Sequence, residues 1–239
     1  MIRRTAWTLA TLAGSPLLLA QAVRVRRATP KLPGAQGPVD GEVRGTGAPL
    51  RLLVIGESTV DGVGARTHDE ALTGRIAQSL ATRLGRGVRW RALGLSGANA
   101  RTVRRRLLRD ACALPADLVV IALGVNDVIE LHSAARYRRD LLRLLLDLRR
   151  GLGPVPVLFA GVPPLDRFPN LPWPLRAVLG ARSRALGSAA TTLDALPGVS
   201  YVPVPADILR PEWFADDGFH PGPEAYLAWG RQLAEVAPG

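Results

Sequence analysis

From Leu50 onward, short runs of Val, Ile and Leu alternate with longer amphipathic segments, and this rhythm leaves few folds open. The apolar runs cover residues 51–55, 88–93, 118–123, 155–160 and 199–204. Several are apolar at successive positions rather than at alternate ones, which is how strands buried on both faces of a parallel sheet read. Between them the 3.6-residue period predicts helices over 69–84, 99–113, 134–150 and 175–196, with a last helix near 223–236. The segment "AARYRRDLLRLLLDLRR" is the clearest, with a broad Leu face opposite Arg and Asp. Strand–helix alternation of this kind predicts a three-layer α/β/α sandwich around a central, mainly parallel five-stranded sheet, with right-handed crossovers.

The chain ahead of Leu50 reads differently. Residues 28–49 are rich in Pro and Gly, lack an apolar period, and read as a linker to a domain over 50–239. Residues 1–27 open with Arg3 and Arg4, continue with an apolar stretch over 5–23, and close with Arg24, Arg26 and Arg27. At ~1.5 Å per residue that stretch just suffices to cross a ~30 Å hydrocarbon core. Ala20-Gln21-Ala22 also fits a small-x-small cleavage site, so the expectation is a single N-terminal membrane anchor, or export if the segment is removed. Its length and the arginines that follow favour the anchor. Basic residues flank both ends, so charge does not assign the side of the membrane.

Formal net charge is +11, almost all from arginine, since Lys31 is the only lysine. The arginines are spread along the predicted helices and are not interleaved with aromatics. With no nucleic-acid motif present, they read as solvated helix faces and not as a nucleic-acid site. Cys112 is the only cysteine, which rules out an intramolecular disulfide, and it reads as a core residue.

A parallel sheet gathers the loops after its strands at one edge, where ligands of such folds bind. After the first strand comes "GEST" with Ser58, and after the second "GLSGAN" with Gly97 and Asn99. After the third comes "GVNDV" with Asn126, and after the fifth "DDGFHPG" with Asp217 and His220. A Ser hydroxyl needs a neighbouring base, His suits neutral pH, and a carboxylate on the other ring nitrogen fixes the tautomer. The backbone N–H groups of Ser58 and Gly97 and the Asn126 amide can converge on an oxyanion. Asp217 is preferred over Asp216 because it stands three residues before His220. Asp127 reads as holding its loop together. His68 and His132 have no acid at matching spacing and read as ordinary structural residues. Glu57, Asp61 and His68 fit no metal-ligand spacing, so no metal is expected. "GESTVDGVG" is neither a GxGxxG turn nor a P-loop, and no cofactor is expected.

Together "GES" at 56–58, "LSGAN" at 95–99, "GVND" at 124–127 and "DGFH" at 217–220 resemble, in order, the four motif blocks of the SGNH (GDSL) hydrolase superfamily. The resemblance covers residues 50–236 and implies a flavodoxin-like α/β/α fold. It also implies a serine ester hydrolase with Ser58 as nucleophile, His220 as base, Asp217 as its orienting acid, and Ser58, Gly97 and Asn126 forming the oxyanion hole. Two positions depart from the pattern: Glu57 replaces the usual Asp, and Ala92 stands where an Asn often does. No Gly-x-Ser-x-Gly elbow surrounds Ser58, which argues against an α/β-hydrolase. The Pro-rich segment "GVPPLDRFPNLPWPLRAVLG" should overhang the site, with Phe168 and Trp173 as candidate walls for an acyl chain. An esterase for lipid-like acyl esters, such as a lysophospholipase or acyl-thioesterase, is the leading reading. A carbohydrate O-acetyl esterase and a non-catalytic membrane-tethered binding module are the rivals.

Overall fold

The computed structural model of the protein describes residues 15–238. Its element order is α1 (Ser15–Ala28), β1 (Asp40–Val43), β2 (Thr46–Gly56), α2 (Leu72–Leu84), β3 (Arg86–Gly94), α3 (Ala100–Ala111), β4 (Leu118–Ala122), a short α4 (Val125–Ile129), α5 (Ala134–Leu152), β5 (Val157–Ala160), α6 (Leu175–Thr191), β6 (Val199–Val202) and α7 (Pro223–Val236).

The sheet has six strands in the order β1-β3-β2-β4-β5-β6, not the five expected. All pairs are parallel except β1, which runs antiparallel along β3 with Asp40 opposite Arg91 and Val43 opposite Val88. The extra strand is "DGEV", short, polar and half exposed at the sheet's edge. It pairs through its backbone, so no apolar run betrays it. The five parallel strands follow the doubly wound order, with its reversal between β2 and β4.

Residue parity on the strands divides the core. Leu53 and Ile55 of β2, with Val119, Ile121 and Phe159, face α3, α5 and α6. Leu52 and Val54, with Val120 and Leu158, face α2 and α7. Every residue of β4 is buried, which is why that strand reads as an unbroken apolar run. Each such fully buried aliphatic side chain contributes ~1.5–3 kcal/mol. At the carboxyl end of β2 the chain passes so close to β4 that a Cβ on Gly56 would lie 2.2 Å from the Ala122 carbonyl oxygen. Only glycine fits there. The helix expected over 175–196 ends at Thr191 and tightens into a 3₁₀ turn over Thr192–Ala195.

Residues 28–49 do not form a free linker. They contain β1 and the start of β2, and the stretch between α1 and β1 lies across the nucleophile loop. The Ala35 N–H donates to the Asp61 carbonyl and the Gln36 N–H to the Arg66 carbonyl, each at 2.9 Å. Upstream, α1 rests Leu18, Gln21 and Val25 against the domain at helical spacing. The Gln21 amide donates to the Trp173 carbonyl at 2.8 Å and accepts from the Leu175 N–H at 3.1 Å. The apolar stretch over 5–23 lies mostly outside the described residues. Among those described, no helix is long and apolar enough to cross a membrane.

Candidate active site

Ser58 sits two residues beyond Gly56, where the chain leaves β2. Its Oγ is 3.0 Å from His220 Nε2, and His220 Nδ1 is 2.5 Å from Asp217 Oδ2. The other oxygen of Asp217 accepts from the backbone N–H groups of Phe219 and His220, both at 2.9 Å. Those two bonds fold the Asp-Gly-Phe-His turn on itself and aim the carboxylate at the ring. Burial alone would raise the Asp217 carboxyl. The hydrogen bonds from the His220 ring and from the two N–H groups outweigh it and hold the group below the usual carboxylate range. Asp216 is exposed and makes none of these bonds.

The loops after β3 and β4 supply the remaining groups. Gly97 has φ 77°, a backbone conformation that a side chain would strain, although a Cβ there would meet nothing. Among the described residues, neither the Ser58 nor the Gly97 N–H donates a hydrogen bond. Asn126 is occupied differently from the expectation of a free donor. Its side-chain amide donates to the Glu57 carboxylate and, at 3.3 Å, to the Ala98 carbonyl.

Glu57 is the group whose part the sequence concealed. Only 4% exposed, its carboxylate accepts from the Val125 N–H at 3.0 Å and the Asn126 N–H at 3.1 Å, the first two free donors of α4. Gly124 precedes that helix and offers no capping side chain, so Glu57 caps it from another loop. Burial pushes the Glu57 carboxyl up to about 7, against the pull of these donors, with the nearby Asp127 adding to the rise.

A second acid–imidazole pair joins α4 to the turn that follows it. His132 Nδ1 lies 2.8 Å from Asp127 Oδ1, and His132 Nε2 lies 3.2 Å from Glu130 Oε2. Asp127 also accepts the Ala100 N–H at 3.0 Å, and Glu130 accepts the Asn99 side-chain amide at 2.6 Å. Asn99 in turn caps α3 through the Thr102 N–H. This cluster staples the loop of Gly97 to the loop of Asn126. It confirms Asp127 as a loop-holding residue. His132 is structural, as read, but it has two acid partners that the three-residue spacing does not bring out, Glu130 two residues back and Asp127 five. Among the described residues, no three or more of His, Cys, Asp and Glu gather where they could hold a metal.

Beside Ser58 and His220 opens an apolar pocket. Phe168, Phe214 and Phe219 form one wall, packed edge to face with centroids 5.2 and 5.1 Å apart. Ile208, Trp213 and Trp229 form another. Of the two candidate wall residues, Phe168 is buried in this lining. Trp173 stands outside the pocket, 72% exposed, because the chain turns outward between Phe168 and α6 and Gln21 holds its carbonyl against α1.

Residues 54–228 match the model of the GDSL-like Lipase/Acylhydrolase family. A GDSL-like esterase of Mycobacterium tuberculosis is 30% identical over 235 residues, spanning 88% of this chain and 72% of that protein. Among solved structures, a lipase from a goat rumen metagenome superposes with a TM-score of 0.67 at 17% identity, over 80% of this chain and 98% of that one. A carbohydrate acetylesterase from Sinorhizobium meliloti gives 0.62 at 21% identity, over 78% and 97%. At such identities the two structures bear on the fold alone.

Proposed function

Since the chain belongs to the GDSL-like lipase/acylhydrolase family and is therefore a hydrolase acting on esters, we propose that it cleaves acyl esters with an apolar acyl chain through a Ser58–His220–Asp217 triad. The observation that carries the reading is the hydrogen-bonded chain from Asp217 through His220 to Ser58, opening onto an apolar pocket. Ser58 Oγ attacks the ester carbonyl carbon while His220 Nε2 takes its proton. The C–O bond to the alcohol then breaks, and the same nitrogen returns the proton to the leaving oxygen. Water repeats the sequence on the acyl-enzyme. Asp217 keeps Nδ1 protonated and stabilises the imidazolium.

The unpaired N–H groups of Ser58 and Gly97 suit the developing oxyanion. The Asn126 amide joins them by giving up its longer bond to Ala98, while Glu57 keeps the residue in place. An aromatic and aliphatic lining favours an acyl chain over the sugar of a carbohydrate acetate. The apolar stretch over 5–23 supports tethering at a membrane, where lipid-like esters partition.

The test is a panel of p-nitrophenyl esters graded by acyl length, run on the wild type and Ser58→Ala, beside labelling with a fluorophosphonate. Hydrolysis rising from acetyl to medium chains, lost in Ser58→Ala, with the label on Ser58, is expected. Activity confined to acetyl esters would turn the reading towards a deacetylase. Equal rates in both proteins would remove Ser58 from the chemistry.

A further inference from the structure

The positive charge of the folded chain is not spread evenly. Helices α1, α3, α5 and α6 carry seventeen arginines and three aspartates, a formal +14. Helices α2 and α7, on the other side of the sheet, carry three arginines and two glutamates, a formal +1. The four basic helices form one layer: α3, α5 and α6 cover the same sheet face, and α1 packs its Leu18 and Val25 on that side.

Exposed apolar side chains are gathered on the same layer. Of the ten large hydrophobic residues exposed among the described residues, eight lie on α1, α3 to α6 or the turns at their ends, among them Leu19, Val23, Leu131, Leu146 and Trp173. Isolated exposed leucines need no explanation, but their coincidence with the arginines does. Along α1 the order is itself graded, with Leu17, Leu19 and Val23 first and Arg24, Arg26 and Arg27 after them.

We propose that this helical layer docks on an anionic phospholipid bilayer. Arginines answer the lipid phosphates, and the interspersed leucines and Trp173 enter the headgroup region. A polynucleotide offers the same phosphates but no apolar zone, and would leave those side chains facing a charged backbone. The apolar sequence that leads into α1 is a second membrane signal carried by the chain itself. This inference does not depend on the chemistry at Ser58.

Partition of the full-length protein between buffer and vesicles, read by co-sedimentation, tests it. Vesicles of pure phosphatidylcholine are compared with vesicles that also contain phosphatidylglycerol. A preference for the anionic vesicles of ~10-fold or more is expected, collapsing at high salt. Arg105→Gln with Arg139→Gln removes two exposed arginines of the basic layer that make no ion pair among the described residues, and should take away most of that preference, leaving ~2-fold or less. Arg44→Gln with Arg231→Gln removes equal charge elsewhere and should leave it unchanged. Equal partition into both lipids, or an equal loss in both double variants, overturns the proposal. So does preferential capture by a DNA duplex in direct competition with the anionic vesicles. Hydrolysis of a soluble ester, followed in parallel, should be the same in all these proteins. Its absence from the wild type would count against the ester chemistry and not against the docking face.

Discussion

Glu57 holds Asn126 by two bonds at once, taking the backbone N–H at 3.1 Å and the side-chain amide on the same carboxylate oxygen. The residue before the nucleophile thereby sets the position of a residue sixty-nine places further along the chain. Glu57→Ala would leave the Val125 and Asn126 N–H groups without their acceptor in a buried site. We expect kcat to fall about a hundredfold with KM little changed, because the loss is felt mainly when the oxyanion forms. Glu57→Asp restores a carboxylate and should keep most of the activity. A similar collapse in both variants, by steady-state kinetics, would show that the length of the side chain matters as much as its charge.

The raised Glu57 carboxyl makes stability depend on pH. An unfolded chain gives up this proton near 4.5, the folded protein near 7. Between those values the folded state holds a proton that the unfolded state has lost. The contribution is therefore full below about 4.5 and is lost as pH rises through about 7. Its ceiling is about 3 kcal/mol. Thermal melts across this window should fall more steeply with pH in the wild type than in Glu57→Gln.

Asp217→Asn should leave the fold intact yet cost about a thousandfold or more in kcat, since an amide no longer fixes the His220 tautomer. Ser58→Ala should lose at least as much, and combining the two should cost little further, because residues acting as one unit are not additive. An initial-rate comparison of the three proteins checks this.

Phe168 and Trp173 should part company. Phe168→Ala opens the pocket wall and should lower kcat/KM for an octanoyl ester relative to an acetyl ester by about tenfold, at ~0.8 kcal/mol per methylene left without contact. Trp173→Ala should leave that ratio for soluble esters where it was, since the ring lies outside the lining.

His132→Ala would strip Asp127, which is fully buried, of its only side-chain partner among the described residues. A loss of about 3 kcal/mol in urea unfolding is expected, because a lone buried carboxylate is costly.

The parallel core was readable because burial on both faces leaves strands such as β4 no polar position to blur the signal. Ser58, Gly97, Asn126, Asp217 and His220 were readable because each follows its strand or turn at a fixed spacing, and the structure gathers their four loops at one edge. What escaped depended on contacts remote in sequence. Strand β1 exists through the backbone of β3 and carries no pattern of its own. Glu57 caps a helix almost seventy residues away, and His132 finds two acids across a turn rather than along a face. The sorting of arginines to one layer needed the packing, since every helix taken alone looks like an ordinary solvated one.

Strand β1 has a consequence for anyone trimming the gene. A version starting at Leu50, where the catalytic motifs begin, would remove β1 and leave β3 as the border of the sheet. The residues of β3 now matched to Asp40–Val43 would show open N–H and C=O groups to any passing strand, including the same strand of another molecule. The shortened protein would keep its chemistry on paper and be prone to clump in the tube.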